Sequence, residues 1–367
     1  MKELETNEKT QKIEPNQTEA FQKPWFCVAL SSAGTIFKTD AESPADFLDI
    51  LSGSVIAWVD RWTDDFDKDA PVAAAQLGFS EPLISSLTGD SHLTYQDFDT
   101  EMGIRLPSVQ VRQFEVEAHP LVILLHKNFV LSVHPRSVDR RFTRLRRYSD
   151  IILKKIPVDS SAEDKLTQLL IRIIDETNQR NFEHLRQIEE HGDELNKDMM
   201  NPKTPRDKLG PEIYNMKHAL ITYLDALWQT VDVLHALRYG DAKLITDNQK
   251  LLYRMGILSE DVNRQIALAE HMSDVLASGL EVLQTIYNNQ LQALNNRMAL
   301  VMTYFTIIGT AVLVPNTLAT ILGNSAFGMG PEDVGWYWAL LVGSTVVATA
   351  LAYWWMKRQG WIPKKVD

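Results

Sequence analysis

The spacing of hydrophobic residues is that of strands in the first part of the chain. Between residues 24 and 157 the apolar residues form short runs rich in β-branched and aromatic side chains, which are WFCVALS, SVIAWVDRW and LVILLHKNFVLSVHP. Glycine, serine and aspartate bound these runs, as is typical of strands, and HKN within the third run predicts a hairpin turn. APVAAAQLG and EPLISSLTG predict helices that end at glycine. We therefore expect an α+β domain over residues 24–165.

From Leu166 onward the apolar residues recur every three to four positions, which is the period of an amphipathic helix. One long helix is predicted to end at Met200, and NPKTPRDKLGPE is predicted to break the chain before a second helix, IYNMKHALITYLDALWQTVDVLHAL. The second helix is expected to run back against the first. Residues 166–245 therefore predict a helical hairpin.

A third helix is predicted to begin near Asp247, because the chain then contains no proline until Pro315. A helix that runs unbroken to Leu322 would be about 110 Å long at 1.5 Å per residue. Its apolar residues form a seam like that of a coiled coil. The seam comprises Val262, Ile266, Ala269, Met272, Leu276, Leu280, Leu283 and Ile286. Such a rod cannot bury its seam alone, so we expect an oligomer whose stalk, residues 246–298, continues into a membrane span.

Two long stretches near the end of the chain, residues 298–331 and 334–356, carry no charge. A helix needs about 20 apolar residues to cross a bilayer. We therefore expect two membrane spans, which are a first span at 299–322 and a second span at 334–356, joined by an extracellular loop at 323–333. The basic residues near the spans are Arg297, Lys357, Arg358, Lys364 and Lys365. The positive-inside rule then places both termini in the cytoplasm.

The two ends of the chain are polar. Residues 1–23 lack the apolar core of a signal peptide and predict a disordered tail, and residues 357–367 predict a basic cytoplasmic tail. The formal net charge of −11 argues against nucleic acid as a partner. We find no nucleophile-and-base pair and no zinc-ligand spacing, so an enzyme is not expected.

One basic segment stands out in this acidic chain. PRSVDRRFTRLRRYSD places Arg140, Arg144 and Arg147 on one helical face. Such a face is either a patch for phosphate or nucleic acid, or a solvated helix face that makes salt bridges between subunits.

Polar residues within the first span follow one side of the predicted helix. Thr303, Thr306, Thr310, Thr317, Thr320 and Asn324 are separated by 3, 4, 7, 3 and 4 residues, and Leu313 fills the gap. Polar side chains in hydrocarbon mostly face a bundle interior or water, which favours a stripe that lines a pore and bonds an ion's water. Alternatively, each threonine bonds back to its own helix and the small residues allow close packing.

The outer end of the first span combines glycine, asparagine and acids. GNS and FGMG stand beside Glu332 and Asp333. Mg²⁺ gives up its water reluctantly, so neutral oxygens that bind the hydrated ion suit it. In an oligomer the two acids would form rings that concentrate cations at the mouth. Alternatively, they are ordinary solvated loop acids.

Several segments resemble the CorA family of divalent-cation channels, over nearly the whole chain from about residue 24. These segments are NNRMALVMTYFTIIG, KNFVLSVHP, LRYGDAKLIT, WYWALLVG and KRQGWIPKK. The resemblance implies a funnel-shaped homopentamer in the cell membrane, with a cytoplasmic α+β domain and a long stalk helix that continues into the pore-lining span. It implies passive conduction of Mg²⁺, and also of Co²⁺ or Ni²⁺, with the ion as transported and regulatory ligand and no other cofactor.

The chain departs from the Gly-Met-Asn motif of that family. Gly323-Asn324-Ser325 stands near its place, and Gly328-Met329-Gly330 keeps two of the three letters. We predict Asn324, with Gly323, as the selectivity site, and Met302 and Leu313 as hydrophobic constrictions. The full predicted pore set is Met302, Thr306, Gly309, Thr310, Leu313, Thr317, Thr320, Gly323 and Asn324.

The predicted cation contacts fall in two places. Asn324, Glu332 and Asp333 lie at the mouth, and Asp261 and Asp274 lie on the stalk. The family's magnesium sensor pairs an aspartate of the stalk with one of the α+β domain. By resemblance the first position holds Arg264 here, and only Asp90 lies near the second. A solvated coiled-coil face is the alternative for the stalk acids.

Two other functions stay open. One is a transporter of the ZntB type, which carries Zn²⁺ coupled to protons, although the spans hold no ionisable residue to carry a proton. The other is a membrane-anchored scaffold that conducts nothing. The missing Gly-Met-Asn suits both, and so does Ala299 where the family places a second asparagine.

Overall fold

The computed structural model describes residues 23–89, 93–112, 115–201, 204–324, 328 and 330–359. The predicted N-terminal tail to residue 22, Asp90, Ser325, Met329 and the end of the basic tail with Lys364 and Lys365 lie outside these residues. The chain divides into two compact units, Met1–Gly279 and Leu280–Asp367.

The first unit contains a seven-stranded sheet. Its strands are β1 (Trp25–Ser31), β2 (Ile36–Ala41), β3 (Ser54–Thr63), β4 (Tyr95–Asp97), β5 (Glu101–Arg112), β6 (Glu115–His126) and β7 (Phe129–Pro135). The strand order is β2-β1-β3-β7-β6-β5-β4. Only β3 and β7 pair in parallel, and every other described pair is antiparallel. Central strands β1, β3 and β7 are almost wholly buried, which explains their nearly continuous apolar sequences.

The predicted hairpin at HKN is confirmed. Strands β6 and β7 pair from His126 opposite Phe129, and Lys127 takes a positive φ of 34° in the turn. The amide of Asn128 donates to the carbonyls of Leu51 and Ser54, both at 2.8 Å, so the turn is fastened to the start of β3.

The β5–β6 ribbon was not predicted from sequence beyond the second half of β6. Its twelve paired positions include Pro107 directly opposite Pro120. Proline lacks the N–H that a ladder needs and normally argues against a strand. Here both prolines occupy the same rung, so the interruption is confined to one place in the ribbon.

Helices of the first unit cover the sheet, and the later ones follow its last strand in the sequence. They are α1 (Leu48–Ser52), α2 (Phe66–Gln76), α3 (Glu81–Thr88), α4 (Asp139–Lys154), α5 (Ala162–Met200) and α6 (Arg206–Tyr239). The tracts APVAAAQLG and EPLISSLTG fall in α2 and α3 as predicted. Leu83 and Leu87 of α3 close over Gly103 of β5, where a Cβ atom would approach the Leu87 side chain to 2.2 Å.

The two long helices α5 and α6 form the predicted hairpin, but the break between them is shorter than expected. Helix α6 begins at Arg206 and includes Gly210 and Pro211, which were predicted to lie outside it. A proline near the start of a helix removes one hydrogen bond without ending the helix. The Tyr223 hydroxyl donates to the carbonyl of Asn181, and Met216 packs on Gly192, so the two helices are in close contact.

The helix α7 (Gln249–Leu322) is unbroken over 74 residues, which corresponds to about 110 Å. Its start is fixed by Asn248, whose side chain accepts from the Lys250 N–H at 3.0 Å. The helix continues through Pro315 and is followed by α8 (Val334–Arg358).

The apolar seam of α7 has two parts. We predicted that burying the seam requires further copies of the chain, and for the first part this prediction is wrong. From Val262 to Leu276 the seam residues are 0–7% exposed within one chain. Helix α5 provides part of this cover, because Gln265 donates to Asn178 at 3.0 Å and Met199 packs on Gly279. Leu280 is 37% exposed, so the need for a partner begins only there.

A fully buried ion pair joins the sheet to α4. Arg146 of α4 donates from Nε to Asp60 of β3 at 2.6 Å, and Ser132 and His134 of β7 also contact this carboxylate. All four residues are fully buried. Burial alone would raise the pKa of Asp60, but the Arg146 charge, His134 and the Ser132 hydrogen bond lower it to about 2. Arg146 also pairs with Asp139 at 3.2 Å.

We predict that Asp60→Asn destabilises the first unit by about 3–5 kcal/mol, because it leaves the Arg146 charge buried without its main partner. The control is Asp150→Asn, which breaks the part-exposed pair with Lys38 and should cost below about 1 kcal/mol. Thermal unfolding of the full chain in detergent measures both.

The pH dependence of the same transition provides a second readout. The folded pKa of Asp60 is depressed, so its contribution to stability is complete above about pH 4 and is lost as the pH falls through about 2. Equal melting temperatures for Asp60→Asn and Asp150→Asn would show that the pair of Asp60 and Arg146 does not stabilise the first unit.

Candidate pore helix and cation site

The second unit contains two helices that are long and apolar enough to cross a membrane. One such stretch lies in Gln249–Leu322 and the other in Pro331–Arg358. They correspond to the predicted first and second spans. Bulky apolar side chains on both are largely exposed, including Phe305 and Val312 on α7 and Val346 on α8, at 61–67%. Exposure on this scale is expected of helices that contact lipid or further helices.

One side of α7 packs toward α8. From Leu300 onward the less exposed residues of α7 recur mostly every three or four positions, and they are Leu300, Thr303, Ile307, Ala311, Pro315, Leu318, Ala319 and Leu322. Ala311 is the most buried of them at 8%. A mainly apolar groove of about 500 Å³ lies at the edge of this contact, where Ile307 and Val314 of α7 meet Leu351 and Trp355 of α8.

The predicted pore residues occupy a different side of α7. At about 100° per residue, the pore residues from Met302 to Asn324 other than Gly323 fall in an arc of about 100°, centred about 140° away from the side that packs toward α8. Those with described burial are exposed in the single chain, with Met302 at 68% and Leu313 at 65%. Thr303 is the exception in the sequence stripe, because it is half-buried on the α8 side. Thr306 and Thr310 also border the groove. Helix α8 therefore borders one edge of the arc and leaves the rest of it uncovered.

Every threonine of the stripe donates its hydroxyl hydrogen to its own helix. The acceptors are the carbonyls four residues earlier, at 2.7–2.9 Å, for Thr303, Thr306, Thr310, Thr317 and Thr320. Back-bonding, the alternative interpretation of the stripe, is thus present. It is not specific to this side, because Thr345 and Thr349 of α8 do the same. A hydroxyl bonded in this way offers only its oxygen lone pairs outward, as an acceptor.

The outer end of α7 is closed by Gly323 and Asn324. The N–H of Gly323 donates to the Ala319 carbonyl at 2.9 Å, and a Cβ atom at Gly323 would lie 2.8 Å from that oxygen, so glycine fits this turn. The Asn324 N–H donates to Ile321 at 3.3 Å, and Asn324 is exposed. The last carbonyls of a helix carry a partial negative charge that favours cations. Asn324 therefore lies at an electrostatically suitable place for a cation.

The two acids of the loop differ in their contacts. Asp333 accepts from the Gly330 N–H at 3.0 Å and from the Trp336 indole at 3.1 Å, so each of its oxygens is used at the start of α8. Glu332 is exposed and makes no ion pair with any described residue. Of the two predicted mouth acids, Asp333 therefore uses both oxygens within its own loop and helix, whereas the carboxylate of Glu332 is exposed. The sequence alone gave no means to distinguish them.

The two stalk acids lie apart. Asp261 forms an ion pair with Arg264 three residues later, and Asp274 is exposed. Thirteen residues separate the acids, which is about 20 Å along the helix. Across the part of the chain that the structure describes, no three His, Cys, Asp or Glu side chains converge as a metal site. Within one chain the stalk acids therefore form no common site.

Comparison with protein families matches residues 53–358 to the family described as CorA-like Mg2+ transporter protein. The chain belongs to this family. The resemblance found in the sequence is thereby confirmed. A comparison with curated protein sequences found no match.

Solved structures of CorA and of two related proteins share the fold. The complete CorA magnesium transporter from Methanocaldococcus jannaschii is 18% identical with a TM-score of 0.67, and the alignment covers 92% of this chain and 99% of that one. The full-length CmaX protein is 16% identical with a TM-score of 0.56, covering 91% and 96%. The ZntB cytoplasmic domain from Vibrio parahaemolyticus RIMD 2210633 is 15% identical with a TM-score of 0.53, covering 72% and 98%.

The predicted fold class is confirmed by these likenesses: an α+β domain, then long helices, then two candidate transmembrane helices. Membership of the CorA-like family makes this a membrane protein of a class that transports divalent cations and is not a class of enzymes. The residues that select the ion stay a prediction.

We predict that cysteines on the uncovered arc react with a charged, membrane-impermeant thiol reagent, because thiolates form only where water reaches them. Thr306→Cys and Thr317→Cys should be modified at least about tenfold faster than Val312→Cys, which lies on another side of α7. The native Cys27 is buried, which raises its pKa to about 12, so background labelling should be low. Mass spectrometry of the labelled protein in EDTA measures the rates. Equal rates at the three sites would show that the arc does not line water.

Proposed function

We propose that this CorA-family protein is a homopentamer of the cell membrane that conducts hydrated divalent cations, Mg²⁺ above all, passively into the cytoplasm. The pore is lined by the first span, and both termini lie in the cytoplasm. The observation that supports this proposal most strongly is the arc of α7 that α8 leaves uncovered. Five copies related by symmetry bring that arc to a common axis, as in a channel.

The chemistry of the arc suits a hydrated cation. Water molecules around Mg²⁺ point their hydrogens outward and need acceptors. Thr306, Thr317 and Thr320 supply hydroxyl oxygens whose own hydrogens are already used within the helix. No residue of the arc carries a charge, so an ion meets no fixed site from which it would leave slowly. Met302 and Leu313 narrow the path with apolar side chains, and a rigid-body movement of the stalks opens it.

The outer mouth selects and concentrates the ion. In a pentamer five helix ends and five Asn324 amides surround the axis, and each offers neutral oxygens to the ion's water. Glu332 adds a ring of negative charge beside them. These contributions support entry of a divalent cation without dehydration.

A ZntB-type transporter is the second candidate, because the ZntB cytoplasmic domain shares the fold of the first unit. Proton coupling normally needs an ionisable group in the membrane. Residues 299–322 and 334–356 contain no Asp, Glu, His, Lys or Arg, which favours the passive channel. A non-conducting scaffold with the same fold is the third candidate, and the departure from Gly-Met-Asn is its main support.

Flux through purified protein in liposomes tests all three candidates. Liposomes are loaded with fluorescent indicators for Mg²⁺ and Zn²⁺, and uptake is followed with and without a pH gradient. A passive channel gives Mg²⁺ uptake that is independent of the pH gradient. Zn²⁺ uptake that requires the gradient would establish the second candidate, and no uptake of either ion would establish the third.

In the same assay we predict that Asn324→Ala lowers Mg²⁺ uptake at least about tenfold or lets Na⁺ and Ca²⁺ compete, with assembly intact. Asn324→Gln keeps the amide and should retain part of the selectivity. Uptake and competition unchanged in Asn324→Ala would exclude Asn324 from selectivity while leaving the channel itself intact.

The two loop acids should respond differently to neutralisation. Glu332→Gln should lower Mg²⁺ uptake about threefold or more at low ionic strength and little at high ionic strength, with an unchanged melting temperature, because exposed charges are screened by salt. Asp333→Asn should also destabilise the protein by about 1 kcal/mol, because an amide has one acceptor oxygen for two hydrogen bonds. Flux and thermal melts of both variants measure the difference. A salt-independent effect of Glu332→Gln would contradict a role in attracting ions.

A further inference from the structure

A basic groove in the first unit is not used by the pore. It has a volume of about 580 Å³ and lies among α4, α5 and α7. Four cationic side chains line it: Arg144 and Lys155 from the α4 segment, Arg172 from α5 and Arg254 from α7. Three separate helices therefore bring positive charge to one place in a chain whose net charge is −11.

The positively charged side chains that line the groove outnumber the negatively charged ones. Among the described residues, Glu176 is the one acid that lines it; its side chain is 8% exposed and pairs with Arg144 at 3.4 Å and Arg172 at 3.8 Å. Arg172 also contacts Asp175 at 3.1 Å on its outer side. Among the described residues, Lys155 and Arg254 have no carboxylate within ion-pair distance. Asp261 borders an adjoining hollow with Arg254, but its ion pair is with Arg264.

An exposed apolar surface lies beside these charges. Tyr148 and Ile151 of α4 line the same groove and are 48% and 47% exposed. An aromatic ring and a branched aliphatic chain next to cations form a surface on which a planar ring can stack. The groove therefore suits a ligand that is anionic at one end and aromatic at the other.

The charge of the whole chain limits the size of that ligand. A long polyanion such as nucleic acid would extend from the groove over an acidic surface and be repelled. A compact anion would contact the groove alone. A volume of about 580 Å³ is within the range of small-molecule sites, and the surplus of positive charge that remains after Glu176 is counted suits a short chain of phosphates.

We propose that this groove binds a nucleoside triphosphate, with the phosphates on Arg254, Arg172 and Lys155 and the base against Tyr148 and Ile151. Arginine is suited to phosphate oxygens because its planar guanidinium donates two parallel hydrogen bonds. Arg144 stays with Glu176 and closes one side. This site is independent of the pore, so it can be tested whether or not the protein conducts Mg²⁺.

The first test measures ATP binding to the full-length protein in detergent by calorimetry, in EDTA so that no Mg²⁺–ATP forms. We expect Arg254→Gln to weaken ATP binding about tenfold or more, and Lys155→Gln to weaken it by several-fold. The matched control is Arg186→Gln, which removes an exposed arginine of α5 paired with Glu190 and should change the affinity less than twofold. Circular dichroism confirms that each variant is folded.

A second set of variants separates the contributions of the acid and of the aromatic ring to ATP affinity. Glu176→Gln removes the one negative charge of the groove, and it should strengthen ATP binding about threefold. Tyr148→Ala should weaken ATP binding about fivefold and leave tripolyphosphate binding unchanged. Adenosine alone should bind more weakly than either.

Three results would overturn the proposal. The first is no ATP binding by the wild-type protein, or binding that Arg254→Gln leaves unchanged. The second is equal affinity for tripolyphosphate and ATP with no effect of Tyr148→Ala, which would show a simple polyanion site. The third is a change of oligomeric state in Arg254→Gln without a change in ATP affinity, which would identify the groove as a contact between subunits.

Discussion

The second unit depends on one constraint: polar side chains on a helix in hydrocarbon must form hydrogen bonds either with the backbone of their own helix or with water. The threonines of α7 meet this constraint in part, because each hydroxyl donates to the carbonyl four residues earlier. That bond removes the cost of an unpaired donor, but it leaves the oxygen facing outward. The side that α8 covers lies about 140° from the centre of the arc, and among the described residues of the stripe only Thr303 is half-buried there, with Thr306 and Thr310 at its edge. The proposed symmetric assembly with a wet axis would resolve the constraint and at the same time create a path for an ion.

The same helix meets a different constraint in the first unit. There the seam from Val262 to Leu276 is buried within the chain, against helices that include α5. The buried pair of Asp60 and Arg146 fastens α4 to the sheet, and α4 leads in sequence to α5. The first unit thus buries this seam and this ion pair internally, whereas the second leaves many bulky apolar side chains of its two helices exposed. The need for further copies arises from the residues after Gly279, not from the whole length of α7 as the heptad-like spacing indicated.

Sequence reasoning succeeded where one local pattern decides the structure. The hairpin at HKN, helices α2 and α3 and the continuous α7 all follow from period, turn residues and the absence of proline. It failed where a distant partner decides. Pro107 makes β5 look unlike a strand, and only its pairing opposite Pro120 removes the objection. Arg146 stands in a run of arginines, and nothing local marks it as the buried one. Asp333 and Glu332 are adjacent acids, and the hydrogen bonds from the Gly330 N–H and the Trp336 indole to Asp333 distinguish them. The exposed arc of α7 was accessible to sequence reasoning because helical spacing is local, whereas the side that α8 covers was not.

The basic groove is a further case in which the local sequence shows one part of a feature and distant residues supply the rest. The arginine-rich segment was visible in the sequence, and its two interpretations were a phosphate site or a solvated face with salt bridges. The structure shows ion pairs of this segment within one chain, and the phosphate site stays a proposal. Arg146 is buried against Asp60, and Arg144 pairs with Glu176, so part of the positive charge is structural. Arg254 comes from a helix more than a hundred residues away and adds charge that no described carboxylate neutralises. This surplus of positive charge arises only after folding, and it lies beside exposed apolar side chains. Solubility alone does not explain it, because a solvated helix face gains nothing when like charges are brought together. Like charges held in one groove cost free energy until an anion enters, and that cost is the physical reason to expect a ligand there.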